Sequence, residues 1–209
     1  MIASGESKNL EVLPLAIPEV KLIVPRRHTD ARGFFAEVFS RRSLAAAGID
    51  FDGVQDNQSF SRDKGTVRGL HFQLRPFAQA KLIRVARGSI LDVAVDIRAG
   101  SPTFRKHVSF VLRADSAEQL YVPAGFAHGF CTLEPDTEVL YKVDAYYSAA
   151  HDRGIIWNDP DLAIAWPVSS AEVQLSDKDQ KLPRLKDIEP MFSYANQTPG
   201  QAGISERSR

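Results

Sequence analysis

Between residues 81 and 122 apolar and polar positions alternate in short runs, KLIRVARG, SILDVAVDIRAGSP, FRKHVSFVLRAD and QLYVPAG. A period of two sends successive side chains to opposite faces of a strand, and regular short runs of this kind predict an antiparallel sandwich or barrel. The clearest turns are Arg87-Gly88-Ser89 and Ala99-Gly100-Ser101-Pro102, and the strand pattern resumes over 139–143 after the loop Glu134-Pro135-Asp136. Helical signals are few. Residues 40–47 read as a short helix capped by Ser40, and 176–182 as a last one. The stretch 157–167, with its prolines and two tryptophans, is predicted to be an irregular loop wrapped on the barrel. Residues 1–7 and 197–209 lack the apolar content to pack firmly and are expected to be mobile.

Composition narrows the class. With 209 residues, 44% of them hydrophobic, the chain can bury one substantial core, so a single domain over 1–209 is expected. Lys+Arg and Asp+Glu are both 26, so no overall field draws the chain to nucleic acid or a membrane surface, and any anion binding must come from a local cluster. No apolar run approaches membrane-spanning length. Glu6, Lys8 and Glu11 precede any apolar run, unlike the basic-then-apolar order of a secretory signal, and a cytoplasmic protein is expected. Cys131 is the only cysteine, which excludes an intrachain disulfide and a thiolate cluster; it reads as a small core residue.

Two motifs carry the chemistry, GTVRGLH at 65–71 and PAGFAH at 123–128. Together they look like the signature motifs of a cupin barrel from whose first motif the metal-binding half is missing. A divalent ion needs converging imidazole and carboxylate ligands. Here the position after His71-Phe72 is Gln73 and the next strand opens with Lys81, a cation that repels a metal ion. No metal is expected; a basic pocket with two histidines suits an anionic ligand and acid-base chemistry. In a strand, His71 faces away from Leu70 and Phe72 and the same way as Gln73, with Arg68 in the approach to it. His128, between Ala127 and Gly129, reads as part of a tight loop, its ring either bonded to backbone or catalytic.

Other candidates have plain structural readings beside the chemical one. Lys81 alone fits a solvated strand end, Tyr141 in VLYKV fits packing, and Asp179 in SDKDQ fits a helix-face charge. Arg32, Phe35 and Glu37 in RGFFAE suit a phosphate, a stacked base and a hydrogen-bonding imide, or equally an ordinary strand with aromatics. Gln55 and Asn57 are similar polar candidates. Gly65 and Gly69 read as backbone-geometry residues, since no helix-opening phosphate loop follows them.

The ordered set RGFFAEVF, QDNQSFS, GTVRGLHFQ, DVAVDIRAGSPTF, YVPAGFAHGF, TEVLYK, WNDP and LSDKD closely resembles the dTDP-4-dehydrorhamnose 3,5-epimerase family. The likeness covers about 13–185. It implies an all-β fold, a cupin-like jelly-roll barrel with a few short peripheral helices, usually a homodimer. It also implies a dTDP-4-keto-6-deoxy sugar substrate, epimerised at C3 and C5 without cofactor in dTDP-L-rhamnose biosynthesis. By this resemblance His71 is the base, Asp179 its orienting partner, Tyr141 the acid on the opposite face, and Lys81 the group that stabilises charge on the carbonyl oxygen. Arg68 and Lys81 line the sugar and diphosphate site, and His128 and Tyr147 the same cavity. Arg32, Phe35, Glu37, Gln55 and Asn57 match the nucleotide-binding set, the first part of which reaches the neighbouring subunit's site. A relative that inverts only C3 or only C5, or a ketoisomerase of a related pathway, is the nearer alternative; a metal-dependent cupin or a non-catalytic sugar-binding module is the remote one.

Overall fold

The structure is a computed structural model that describes residues 9–194. The mobility expected of 1–7 and 197–209 concerns residues outside that range. Along the chain run β1 (Leu10–Pro14), β2 (Lys21–Pro25), a hairpin of β3 (Arg27–Asp30) and β4 (Gly33–Ala36), the helix α1 (Arg41–Ala46) and β5 (Gln55–Ser61). Next come β6 (Val67–Gln73), β7 (Lys81–Arg87), β8 (Ser89–Asp96), β9 (Arg98–Ala99), β10 (His107–Arg113) and β11 (Gln119–Val122). The last strands are β12 (Phe126–Thr132), β13 (Thr137–Val143), β14 (Asp152–Gly154) and β15 (Phe192–Ser193). A six-stranded sheet in the order β1-β2-β11-β7-β13-β5 faces a five-stranded one in the order β10-β8-β12-β6-β14. Every pairing in the two is antiparallel. This is the jelly-roll arrangement expected.

The alternation explains the layers. On β8, Ile90 and Ala94 point between the sheets and pack with Leu22, Ile83, Val85, Leu112, Leu120 and Phe130. Val93 and Val95 point the other way and meet Leu70, Phe72, Ile155, Leu162 and Leu185. The five-stranded sheet is therefore covered on its outer face by the segment after β14, which includes the irregular loop 157–167. Trp166 Nε1 donates to Trp157 O at 2.7 Å and holds that loop closed. Leu44, Ile49 and Phe51, from α1 and the residues after it, cover the outer face of the other sheet against Ile23 and Leu82. Ser40 caps α1 by accepting from Ser43 N, as its sequence predicts.

Two local readings are corrected. Residues 176–182 do not form an α-helix; only Asp179–Lys181 makes a 3₁₀ turn, Pro183 follows, and Asp179 turns inward instead of lying on a solvated face. His128 lies within β12, not in a loop. Its small neighbour Gly129 serves strand packing, because a Cβ there would come within 2.7 Å of Arg68 O.

Candidate active site

One end of the barrel holds a cleft of about 420 Å³ instead of apolar packing, and its wall includes Arg68, His71, Lys81, His128, Tyr141 and Asp179. Arg68 and His71 are three apart, and strict alternation would put them on opposite faces. The ladder between β6 and β12 pairs His71 with His128 and Arg68 with Phe130, so β6 carries one extra residue there. Such a bulge restores both side chains to the same face. Gly69 makes it possible: its φ is +117°, and a Cβ would meet Gly129 Cα and His128 O at 2.7 Å.

His71 is the half-exposed centre of the site. Its Nε2 lies 2.6 Å from Asp179 Oδ1, with side-chain exposures of 30% and 5%. The carboxylate accepts from Nε2–H, which leaves Nδ1, without a partner among the described residues, as the basic nitrogen. Asp179 Oδ2 also accepts from Gly69 N at 3.5 Å, and Asp179 N donates to Ser176 Oγ at 3.1 Å. Burial opposes the carboxylate's charge, but the bond and charge of His71 outweigh it and hold the Asp179 pKa below its ordinary value.

Lys81 is 9% exposed, and its Nζ donates to His71 O at 3.3 Å. Burial pulls its pKa down from 10.5 to about 8, with Asp92 and Asp152 acting in the opposite sense and the positive Lys178 adding to the fall. His128 sits beneath, its Nε2 2.9 and 3.0 Å from the two Asp92 oxygens. Burial lowers its pKa despite Asp92, with Lys81 and His71 adding to the fall, so the ring is a neutral donor to a wholly buried carboxylate. Its partner is thus a side chain and not the backbone that the structural one of its two readings gave it. Asp92 was missed in the sequence. It stands between Ile90 and Ala94 in the inward register of SILDVAVD, and a charge at an inward position was the available signal.

Tyr141, in β13, is half-buried against the core and lines the cleft, and its hydroxyl has no partner among the described residues. Burial raises its pKa, which keeps the phenol protonated. Arg68 donates through Nε to Ser61 Oγ at 3.2 Å and through Nη2 to Phe60 O at 3.0 Å. Lys178 also lines the cleft and pairs with Asp152, which accepts from the Tyr147 hydroxyl at 3.2 Å.

The remaining predicted residues lie outside this wall. Gln55 Nε2 donates to Asn57 Oδ1 at 2.8 Å, Gln55 Oε1 accepts from Tyr147 N at 2.9 Å, and Asn57 Nδ2 reaches Tyr141 O at 3.5 Å. Arg32 pairs with Asp30 at 2.6 Å, Phe35 is 70% exposed, and Glu37 accepts from Ser43 Oγ at 3.1 Å. Gln73 is buried and ties loops, donating to Phe77 O and Tyr146 O and accepting from Ser148 N. Among the described residues no group of three His, Cys, Asp or Glu side chains is arranged to hold a metal ion. Nor is any helix there long and apolar enough to cross a membrane.

An imidazole backed by a carboxylate, a buried cation and a protonated phenol around one cleft can remove a proton, hold an enolate and return a proton. Comparison with known proteins points the same way. The profile of the dTDP-4-dehydrorhamnose 3,5-epimerase family matches residues 14–187. A dTDP-4-dehydrorhamnose 3,5-epimerase of Sinorhizobium fredii is 54% identical over 180 residues, 86% of this chain and 92% of its own. The crystal structure of dTDP-4-dehydrorhamnose 3,5-epimerase from Bacillus anthracis with TDP and PPi bound is similar at a TM-score of 0.81 and 52% identity, covering 84% of this chain and 99% of that one. That of dTDP-6-deoxy-D-glucose-3,5-epimerase from Legionella pneumophila in complex with dTDP-4-keto-L-rhamnose has a TM-score of 0.83 and 41% identity over 89% of this chain and 99% of its own.

Proposed function

The chain belongs to the dTDP-4-dehydrorhamnose 3,5-epimerase family, and from that premise we infer that it is an isomerase of dTDP-L-rhamnose biosynthesis. It inverts C3 and C5 of dTDP-4-dehydro-6-deoxy-D-glucose to give dTDP-4-dehydro-L-rhamnose. The observation that carries the reading is the 2.6 Å bond of His71 to buried Asp179 in a cleft shared with Lys81 and Tyr141.

The ketone at C4 acidifies the hydrogens on both neighbouring carbons. His71 takes one of them, and Asp179 fixes the tautomer and stabilises the imidazolium that results. The electron pair moves onto the carbonyl oxygen, where the Lys81 ammonium stabilises it. Tyr141 returns a proton from the other face, which inverts the carbon. His71 then gives its proton to solvent and Tyr141 regains one from it, and the reset pair inverts the second carbon in the same way. Arg68 holds the anionic part of the substrate.

A second copy of the chain completes the nucleotide end, in this reading, with Arg32, Phe35 and Glu37. Its support is that these residues lie on or beside an exposed hairpin and not on the wall of their own chain's cleft. No metal enters the mechanism, because Gln73 ties loops and Lys81 brings a cation to the cleft. Incubation of the purified protein with dTDP-4-dehydro-6-deoxy-D-glucose after exhaustive chelation tests the whole. NMR should show the L-rhamno product forming at the untreated rate; loss of activity restored by a divalent ion refutes the metal-free mechanism, and no product in either sample refutes the activity.

A further inference from the structure

The period of two along β5 turns Gln55, Asn57, Ser59 and Ser61 inward, while Asp56, Gln58 and Phe60 are exposed. Gln55, Asn57 and Ser61 have the partners described above. Ser59 does not. Its Oγ is buried, and among the described residues it is the buried side-chain polar atom left with no hydrogen-bond partner. Ser59 lines the same cleft as His71, Lys81 and Tyr141. Buried polar groups are nearly always paired, so an orphaned hydroxyl in the wall of a cleft marks the seat of a ligand atom.

Arg68 identifies the chemistry of that atom. Its guanidinium is pinned to Phe60 O and Ser61 Oγ, on the two residues that follow Ser59 in β5. Its Nη1 makes no bond among the described residues. The Arg68 guanidinium, reaching from β6 and bonded to β5, and the Ser59 hydroxyl on β5 are a donor set for a phosphoryl oxygen. No hydrogen bond within the described residues holds the Ser59 hydroxyl, so its proton is free for a ligand. We propose that Ser59 is a substrate-binding residue that donates, beside Arg68, to a phosphoryl oxygen of the nucleoside diphosphate. The proposal rests on the nucleotide-sugar reading of the cleft.

Calorimetric titration of dTDP into the wild type and Ser59→Ala, with thermal melts of both ligand-free proteins, tests it. The alanine variant should bind dTDP about 10- to 100-fold more weakly, the range for a hydrogen bond to a charged group. Ligand-free, it should melt at or above the wild-type temperature, since it loses only an unpaired hydroxyl. Equal dTDP affinity overturns the role of Ser59, including when the KM for the keto sugar rises, because the contact then lies on the sugar. A lower melting temperature of the ligand-free variant also overturns it, since Ser59 is then structural. A wild type that does not bind dTDP refutes instead the nucleotide-sugar reading.

Discussion

Lys81 Nζ donates to the backbone carbonyl of His71 at 3.3 Å, so the cation of the cleft is anchored on the residue that carries the imidazole. Burial is the cost of that position. A lysine pKa brought from 10.5 to about 8 corresponds to about 3 kcal/mol of disfavoured charge. The folded value lies below the unfolded one, so this destabilisation is fully present below pH 8 and is relieved as pH rises toward 10.5. Lys81→Met should therefore raise stability near pH 7 by up to about 3 kcal/mol in denaturant titration and lower kcat by about 10²- to 10³-fold. In the wild type, kcat should fall as pH rises through about 8, where the ammonium is lost. A flat profile to pH 9.5 contradicts the assignment of Lys81 as the cationic stabiliser.

Asp179 is an orienting group with its own pH signature. Its folded pKa is lowered, so it contributes stability above the unfolded value that is lost as pH falls through the folded one. Asp179→Asn should keep the fold but lower kcat by about 10²- to 10⁴-fold, and its stability should fall less steeply on acidification than that of the wild type. Equal acid sensitivity of the two proteins contradicts a native-state bond between Asp179 and His71.

His71 and Tyr141 should fail differently. Without the imidazole no enolate forms, so His71→Ala should lose proton exchange and inversion together, by about 10²- to 10⁴-fold. Tyr141→Phe removes only the hydroxyl on the other face and should depress inversion more than exchange, since His71 can return a solvent deuteron to the face it deprotonated. Retained exchange in His71→Ala, or parallel losses in Tyr141→Phe, would reverse the roles.

The short strands and the Ser40 cap were legible because they depend on local periodicity and local capping. The site was legible only in part. No local pattern tells that Asp179 meets a histidine 108 residues earlier, and its role came from the ordered motifs. His128 read as a loop residue because Ala127 and Gly129 resemble turn residues. Gly129 is small instead because β6 packs against it, a requirement visible only once both strands are placed. Alternation alone could not put Arg68 and His71 on one face, since it takes the extra residue at Gly69 to do so.

The exposed hairpin gives a concentration-dependent prediction. If Arg32, Phe35 and Glu37 complete a partner's nucleotide site, dTDP affinity should fall on dilution in step with dissociation seen by sedimentation. Phe35→Ala should weaken dTDP binding about 10-fold while leaving the melting temperature of the ligand-free protein unchanged, since Phe35 is 70% exposed. A dilute monomer with full affinity contradicts the shared site.

The central claim is that one acid-base set inverts two carbons beside a ketone. Turnover of dTDP-4-dehydro-6-deoxy-D-glucose by the wild type in D₂O, followed by NMR, tests it most directly. The prediction is a product with L-rhamno configuration carrying solvent deuterium at both C3 and C5. Deuterium at one carbon alone, or inversion without deuterium at either, would contradict it.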